Sequence, residues 1–211
     1  MSDTYVSIPC DDITLEGTLS KPDDGISHTG VVICHPHPLR GGDMYNNVVE
    51  AVYGELAARQ IVALRFNFRG VGASGGSAHD SSGHLDDIRA AVDYLITLEE
   101  VDPDRIGLAG YSYGAAMVLR YAVGDERLRA IAVVSPAMTP MRHDPILKYD
   151  RPKYLISGEK DGIVTLSKFN YLVDSVMEPK QYTVAAGVDH FWVGYEDAMA
   201  GDVAEFLQNN I

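Results

Sequence analysis

Short apolar segments alternate with amphipathic helical patterns from about residue 30 to the end of the chain. This alternation is typical of an α/β fold, in which a mostly parallel sheet carries helices on both faces. Each apolar segment is rich in Val, Ile, Leu or aromatic residues, as strands buried on both faces are. The candidate buried strands are residues 30–34, 61–68, 105–109, 130–135, 153–157 and 181–185.

Residues 5–19 precede this pattern and alternate only loosely, with a turn at Cys10, Asp11 and Asp12 between the two halves. Such a segment predicts an antiparallel pair added at the sheet edge. Together with the six central strands, the pair gives an eight-stranded, mostly parallel sheet. Because no linker, repeat or low-complexity tract interrupts the chain, we expect residues 1–211 to form a single domain.

The charge of the chain excludes some classes of partner. Lys and Arg number 17 against 30 Asp and Glu, which gives a formal net charge of −13. This charge repels phosphate backbones and anionic lipids, so we expect no nucleic-acid or membrane partner. No apolar run approaches the roughly 18–20 residues that cross a bilayer, and the first residues lack the features of a secretory signal. The expectation is a cytoplasmic protein that acts on a small molecule, with a homodimer allowed.

The pattern Gly-x-Ser-x-Gly occurs twice, at residues 72–76 and 110–114. A nucleophilic serine in this pattern needs a strand that runs directly into a sharp turn and then a helix. Ser112 has this context, because it follows the predicted strand 105–109 and precedes a run of strong helix formers. Ser74 is followed by a polar, glycine-containing loop. We therefore predict Ser112 as the nucleophile.

A serine hydroxyl is a weak nucleophile at neutral pH and needs a base within hydrogen-bonding distance. Seven histidines are present, and His190 alone follows the last predicted strand. Ligands of open α/β sheets bind outside the carboxyl ends of the strands, and His190 falls at that edge. His190 is therefore the predicted base.

The base needs a carboxylate that holds its ring in the correct tautomer. Asp161 follows the predicted strand 153–157, again at a carboxyl end. Glu159 and Asp189 are the rival acids. Glu159 lies very close to the strand end, and Asp189 adjoins His190 and cannot easily reach round to its ring. Asp161 is therefore the predicted acid.

An oxyanion site needs two backbone N–H donors. The residue after the nucleophile, Tyr113, supplies one of them at the start of a predicted helix. The second donor is expected in the loop after the first buried strand, where Pro36 and Pro38 have no N–H. The choice is between His37 and Leu39, and we favour His37 because the flanking prolines restrict its backbone.

His35 and His37 also have the spacing of a pair of metal ligands. No third ligand stands at a supporting distance along the sequence, and a serine mechanism needs no metal. We expect neither a metal nor a cofactor.

Several ordered sequence blocks carry a resemblance to a known family. They are residues 35–38 with 41–42, 65–74, 110–114, 158–161 and 189–191. On these blocks the chain resembles the α/β-hydrolase superfamily over essentially its whole length. It is most similar to the small bacterial branch akin to dienelactone hydrolases and short-chain carboxylesterases.

The resemblance implies a Ser112, Asp161 and His190 triad, an oxyanion site at the His-Pro-His-Pro loop, and a structural role for block 65–74. Dienelactone hydrolases proper have cysteine at the nucleophile position. Ser112 therefore indicates ordinary carboxylic esters as substrates, cleaved through an acyl-enzyme intermediate. A thioesterase or small peptidase with the same triad is the alternative, and a non-catalytic interaction protein is a further one.

Many α/β-hydrolases carry a cap domain between the strands that correspond here to 130–135 and 153–157. Only about 15 residues, 136–151, lie between them, which is too few for a domain with its own core. An open site favours short acyl chains, because long ones would have little apolar surface to bury against. The expected pocket residues are Leu39, Met138, Phe191 and Trp192.

Overall fold

The computed structural model describes residues 3–138, 140–141 and 144–211. The strands are β1 (Asp3–Cys10), β2 (Ile13–Ser20), β3 (His28–Cys34), β4 (Val62–Phe66), β5 (Val101–Tyr111), β6 (Leu128–Val134), β7 (Lys153–Gly158) and β8 (Lys180–Ala185). The helices are α1 (Asn47–Ala58), α2 (His84–Ile96), α3 (Tyr113–Tyr121), α4 (Leu166–Ser175) and α5 (Glu196–Asn210).

The described strands form one eight-stranded sheet with the order β1-β2-β4-β3-β5-β6-β7-β8. Strands β3 to β8 run parallel to one another. Strand β2 pairs antiparallel with both β1 and β4, so the leading hairpin extends the sheet at one edge. The predicted α/β-hydrolase fold, with its eight-stranded, mostly parallel sheet, is confirmed.

Both faces of the sheet are covered, because successive strand residues contribute to different cores. On β3, Val31 and Ile33 belong to the core that contains apolar residues of α1 and α5, whereas Val32 and Cys34 belong to the core that contains apolar residues of α2, α3 and α4. All four side chains are almost completely buried. This two-sided burial explains why the central strands read as continuous apolar runs in the sequence.

Most predicted strand boundaries differ from the structure by one or two residues, and the ends of two strands show why. Strand β4 ends at Phe66, and Phe68 lies in the following loop, although its side chain is completely buried. An apolar run shows burial and does not by itself show where a strand stops. Strand β5 begins at Val101, four residues earlier than predicted. Its first part is largely exposed and polar, so it lacks the apolar pattern from which the buried strands were predicted.

The connection between β6 and β7 contains one short 3₁₀ turn, Pro145–Lys148, within its described part. The predicted absence of a sizeable cap domain is confirmed, and the carboxyl edge of the sheet is left uncovered by any such domain in the described ranges. Nor does any helix described here have both the length and the apolar character to span a membrane.

Candidate active site

Ser112 occupies a sharp turn between β5 and α3. Its backbone has φ of 55° and ψ of −111°, a conformation that non-glycine residues seldom adopt. The turn is tightly packed, since a Cβ on Gly110 would lie 2.7 Å from the carbonyl carbon of Gly114. A Cβ on Gly114 would lie 2.3 Å from the backbone oxygen of Cys34. The two glycines of the motif are therefore required for the turn to close.

The three predicted residues form a continuous hydrogen-bonded line. The distance from Ser112 Oγ to His190 Nε2 is 3.0 Å, and that from His190 Nδ1 to Asp161 Oδ2 is 2.7 Å. Their exposed fractions are 9%, 5% and 4% for Ser112, His190 and Asp161. The three groups come from the ends of β5, β7 and β8, which the parallel sheet brings to one edge.

Asp161 is held by the chain that follows β7. Its second oxygen, Oδ1, accepts hydrogen bonds from the backbone N–H groups of Ile163 and Val164, at 2.8 and 2.7 Å. Burial opposes ionisation, but the hydrogen bonds from His190 and from these amides outweigh it, and the pKa of Asp161 is lowered. A carboxylate in this state accepts the Nδ1–H of His190 and leaves Nε2 to accept a proton.

The two rival acids lie in other contacts. Glu159 is exposed and accepts a hydrogen bond from the backbone N–H of Gly187, at 2.9 Å. Asp189 is exposed and accepts from the N–H of Phe191, at 2.9 Å. The structure thus brings Asp161, and neither rival, into a hydrogen bond with His190.

The rival serine also has a different environment. Ser74 is buried, donates its hydroxyl to the backbone oxygen of Asn67 at 2.7 Å, and accepts from the N–H of Glu16 at 2.9 Å. These bonds join the loop after β4 to strand β2. This hydroxyl belongs to the scaffold of that loop.

Three side chains fix the loop that carries His190. The Tyr111 hydroxyl donates to the His190 carbonyl at 2.7 Å, and Asn47 Nδ2 donates to the Phe191 carbonyl at 3.0 Å. The indole N–H of Trp192 donates to Ser135 Oγ at 3.1 Å. Sequence reasoning missed Tyr111 and Asn47 as site residues. Tyr111 lies inside the serine motif and could have been examined there, whereas no pattern marks Asn47.

The backbone amides of Tyr113 and His37 have properties expected of oxyanion donors. Tyr113 is the first residue of α3, so its N–H lies outside the intrahelical pattern, where the helix dipole favours an anion. The N–H of Leu39 donates to His37 Nδ1 at 3.2 Å and is engaged. No described residue accepts from the N–H of His37, which remains free for a ligand. These contacts favour His37 over Leu39 as the second donor.

His35, the other histidine of this loop, is completely buried. Its Nδ1–H donates to the Pro36 carbonyl at 2.6 Å, and its Nε2 accepts from the N–H of Phe68 at 3.0 Å. Burial lowers the pKa of His35 to about 4, so the ring is neutral. The Nε2 bond connects the loop after β3 to the loop after β4, whereas the Nδ1 bond lies within the loop after β3. Within the described ranges no group of three or more His, Cys, Asp or Glu is arranged to hold a metal ion.

The four expected pocket residues fall into two groups. Leu39 and Phe191 are 50% and 60% exposed, and the Phe191 ring centroid lies 5.8 Å from that of His190. Met138 is nearly buried and belongs to the core beneath α3. Trp192 is 1% exposed and packs in the core on the other face, so its prediction as a pocket residue is corrected. Its role is to anchor the His190 loop.

Comparison with known proteins identifies the family and the fold. A model of the alpha/beta hydrolase family matches residues 31–207. An uncharacterised protein of Rickettsia prowazekii is 28% identical over 193 residues, which cover 84% of this chain and 77% of that protein. An alpha-beta serine hydrolase homologue from Coxiella burnetii has a TM-score of 0.84 at 26% identity, covering 99% of this chain and 98% of that one. A serine hydrolase without a lid from Xanthomonas campestris shares the fold, with a TM-score of 0.84, 23% identity and coverage of 99% and 95%.

Proposed function

Because the chain belongs to the alpha/beta hydrolase family, we propose that it is a serine carboxylesterase that cleaves short-chain carboxylic esters through an acyl-enzyme intermediate. The observation that carries the proposal is the buried hydrogen-bonded line from Ser112 through His190 to Asp161, with distances of 3.0 and 2.7 Å. An activated nucleophile needs a base in contact with it and a third group that orients the base. His190 is positioned to act as the base for Ser112, and Asp161 is positioned to orient His190.

In the first half of the reaction, Ser112 Oγ attacks the ester carbonyl carbon and its proton passes to His190 Nε2. The imidazolium that forms is stabilised by Asp161. Collapse of the tetrahedral intermediate breaks the bond to the alcohol, which leaves with the proton from His190. The acyl group is then bound to Ser112 as an ester.

Negative charge develops on the former carbonyl oxygen during the attack. The N–H groups of Tyr113 and His37 are the proposed donors to this oxygen. Removal of one such donor from a serine hydrolase typically costs about 100- to 1000-fold in kcat. The N-terminus of α3 adds a favourable dipole at the same position.

In the second half of the reaction, water replaces the alcohol. His190 Nε2 accepts a proton from the water, whose oxygen attacks the acyl carbon. The bond to Ser112 Oγ then breaks, and the serine recovers its proton from His190. Free acid and free enzyme result.

The open site supports short acyl chains as substrates. No cap domain covers the described carboxyl edge of the sheet, and two of the apolar side chains expected at the pocket, Leu39 and Phe191, are half exposed or more. A long acyl chain would therefore remain largely in water, and little binding energy would be gained from its extra methylene groups.

The experiment is a substrate panel on the purified protein. We expect kcat/KM for p-nitrophenyl esters to be highest from acetate to butyrate and to fall toward palmitate. A maximum at palmitate would contradict the chain-length proposal. An acyl-CoA and a peptide anilide belong in the same panel, since the same triad can open thioesters and amides; a higher kcat/KM for either would reassign the substrate class.

A matched pair of variants tests the assignment of the nucleophile. Ser112→Ala should abolish turnover of all substrates in the panel. Ser74→Ala, in the other Gly-x-Ser-x-Gly match, should keep kcat within a few fold of the parent, although loss of its two hydrogen bonds lowers stability. Full activity of Ser112→Ala would reject the serine mechanism.

A further inference from the structure

A side-chain contact links the two proposed oxyanion donors. The ring of Tyr113 lies against the ring of His37, with centroids 4.6 Å apart. The Tyr113 hydroxyl is hydrogen-bonded to Nδ1 of His84, the first residue of α2, at 2.7 Å. The two residues proposed as oxyanion donors are therefore in direct side-chain contact, and Tyr113 is also hydrogen-bonded to helix α2.

His84 is an unusual residue for its position. It is 1% exposed, and its Nε2 has no hydrogen-bond partner among the described residues. A buried polar group without a partner destabilises a folded protein. Phe68 packs on the His84 ring at 4.9 Å between centroids, so an apolar side chain would suit the surroundings better than an imidazole does. The polar contact that His84 makes is the one with Tyr113.

The ring of His84 is neutral in this setting. Burial lowers its pKa, with Arg69 and His37 adding to the effect and Asp87 and Asp80 opposing it. A neutral imidazole can accept the phenol O–H at Nδ1 or donate to the phenol oxygen, so either tautomer keeps the bond. The Tyr113 side chain is thereby restricted to one orientation, which is the orientation that meets His37.

Resting on the function proposed above, we propose that Tyr113 and His84 form a positioning pair for the oxyanion site. His84 holds the Tyr113 ring against His37, and this contact sets the spacing between the two N–H donors. Neither side chain touches the reacting atoms. Tyr113 thus acts twice, with its backbone as a donor and with its side chain as the support of the other donor.

The first test is the variant Tyr113→Phe, which keeps the ring and removes the hydroxyl. We expect kcat for p-nitrophenyl acetate to fall about tenfold with KM nearly unchanged, because a misplaced donor affects the transition state more than the bound substrate. Tyr121→Phe is the matched control. Tyr121 is the last residue of α3 and therefore lies at the end of the helix away from Ser112. Its hydroxyl donates to Asp125 at 2.6 Å. The kcat of Tyr121→Phe should stay within twofold of that of the parent protein, even if the melting temperature of the variant falls.

The second test separates positioning from packing at residue 84. His84→Asn places an amide where Nδ1 lies and should retain most of kcat, whereas His84→Leu should lose about as much as Tyr113→Phe. The double variant Tyr113→Phe with His84→Leu should fall no further than either single variant, since the pair acts as a unit. Equal kcat in the Asn and Leu variants, or fully multiplicative losses in the double variant, would overturn the proposal.

A binding measurement makes the test independent of turnover. Phenylboronic acid adds to a serine Oγ through boron, the serine proton passes to the histidine, and the tetrahedral adduct places an oxygen at the oxyanion site. We expect its Kd to rise about tenfold in Tyr113→Phe and to be unchanged in Tyr121→Phe. Tight binding that Tyr113→Phe leaves unaltered would overturn the positioning role alone. Failure of the parent protein to bind phenylboronic acid would overturn both this role and the proposed function.

Discussion

The hydroxyl of Tyr111 donates a 2.7 Å hydrogen bond to the backbone carbonyl of His190. Tyr111 immediately precedes Ser112, and its ring centroid lies 5.4 Å from that of His190. The residue that ends β5 therefore holds the loop that carries the proposed base, on the same tight turn that presents the proposed nucleophile. The hydrogen bond from Tyr111 thus helps to set the distance between the Ser112 hydroxyl and the His190 ring.

Removal of that hydroxyl should disturb the base without removing it. In Tyr111→Phe we expect kcat to fall about three- to tenfold, which corresponds to one lost hydrogen bond of about 1 kcal/mol. Steady-state kinetics with p-nitrophenyl acetate measures the effect. Tyr154→Phe is the control, because Tyr154 donates to Thr183 at 2.8 Å on another part of the sheet. A kcat for Tyr111→Phe equal to that of the control would show that the other tethers of the loop suffice.

The three carboxylates near His190 can be distinguished by amide substitution. Asp161→Asn should lower kcat by about 10⁴-fold, because an amide favours the wrong histidine tautomer. Glu159→Gln and Asp189→Asn should keep kcat within about threefold, since their carboxylates accept hydrogen bonds from the backbone N–H groups of Gly187 and Phe191 and not from the His190 ring. If Asp189→Asn proves the most damaging of the three, the orienting acid has been assigned to the wrong residue.

The indole of Trp192 should matter for stability as well as for activity. Trp192→Phe removes the hydrogen bond to Ser135 and leaves a space in a packed core, which typically costs about 1–3 kcal/mol. Urea denaturation measures the free energy of unfolding. Phe191→Ala, a change at the exposed neighbour, should alter that free energy by less than about 0.5 kcal/mol. A larger effect at Phe191 than at Trp192 would contradict the anchoring role.

A buried lysine should make the stability of the fold depend on pH in the alkaline range. Lys153 is fully buried and its Nζ donates to the carbonyls of Met177 and Pro179, at 2.9 and 3.1 Å. Burial lowers the pKa of Lys153 to about 8, below its ordinary value of 10.5. Between these two pH values the unfolded chain binds more protons than the folded one, so folded-state stability should rise with pH in this window.

The test compares the parent with Lys153→Met, which lacks this titration. The free energy of unfolding of the parent, relative to the variant, should increase by about 2 kcal/mol from pH 7.5 to pH 9.5. Tyrosines that ionise at higher pH are common to both proteins and cancel in the difference. A constant difference across this range would show that the lysine titrates at its ordinary pKa.

The fold could be predicted from the sequence because burial in the two cores requires apolar residues at regular positions of the strands and helices. Each central strand is apolar on both faces, as Val31 and Val32 illustrate, and each helix is apolar on one. The strand limits were harder to predict. Phe68 is buried without being in a strand, and the exposed residues at the start of β5 resemble a loop.

The three proposed triad residues could be predicted because each follows a recognisable strand. Their supports could not, since Asn47, Ser135 and His84 lie far along the chain from the residues they contact and belong to no periodic pattern. The pocket prediction failed at Trp192 for a related reason. A large aromatic residue beside a site can line it or anchor it, and only the packing decides which.

The most direct test of the account is the position of a covalent label. We would treat the protein with a fluorophosphonate, digest it and locate the adduct by mass spectrometry. The account predicts one adduct, on Ser112, which forms slowly or not at all in His190→Ala and is absent in Ser112→Ala. An adduct on Ser74 or another residue, or labelling of Ser112 that His190→Ala leaves unchanged, would contradict the proposal that His190 activates Ser112 as the nucleophile.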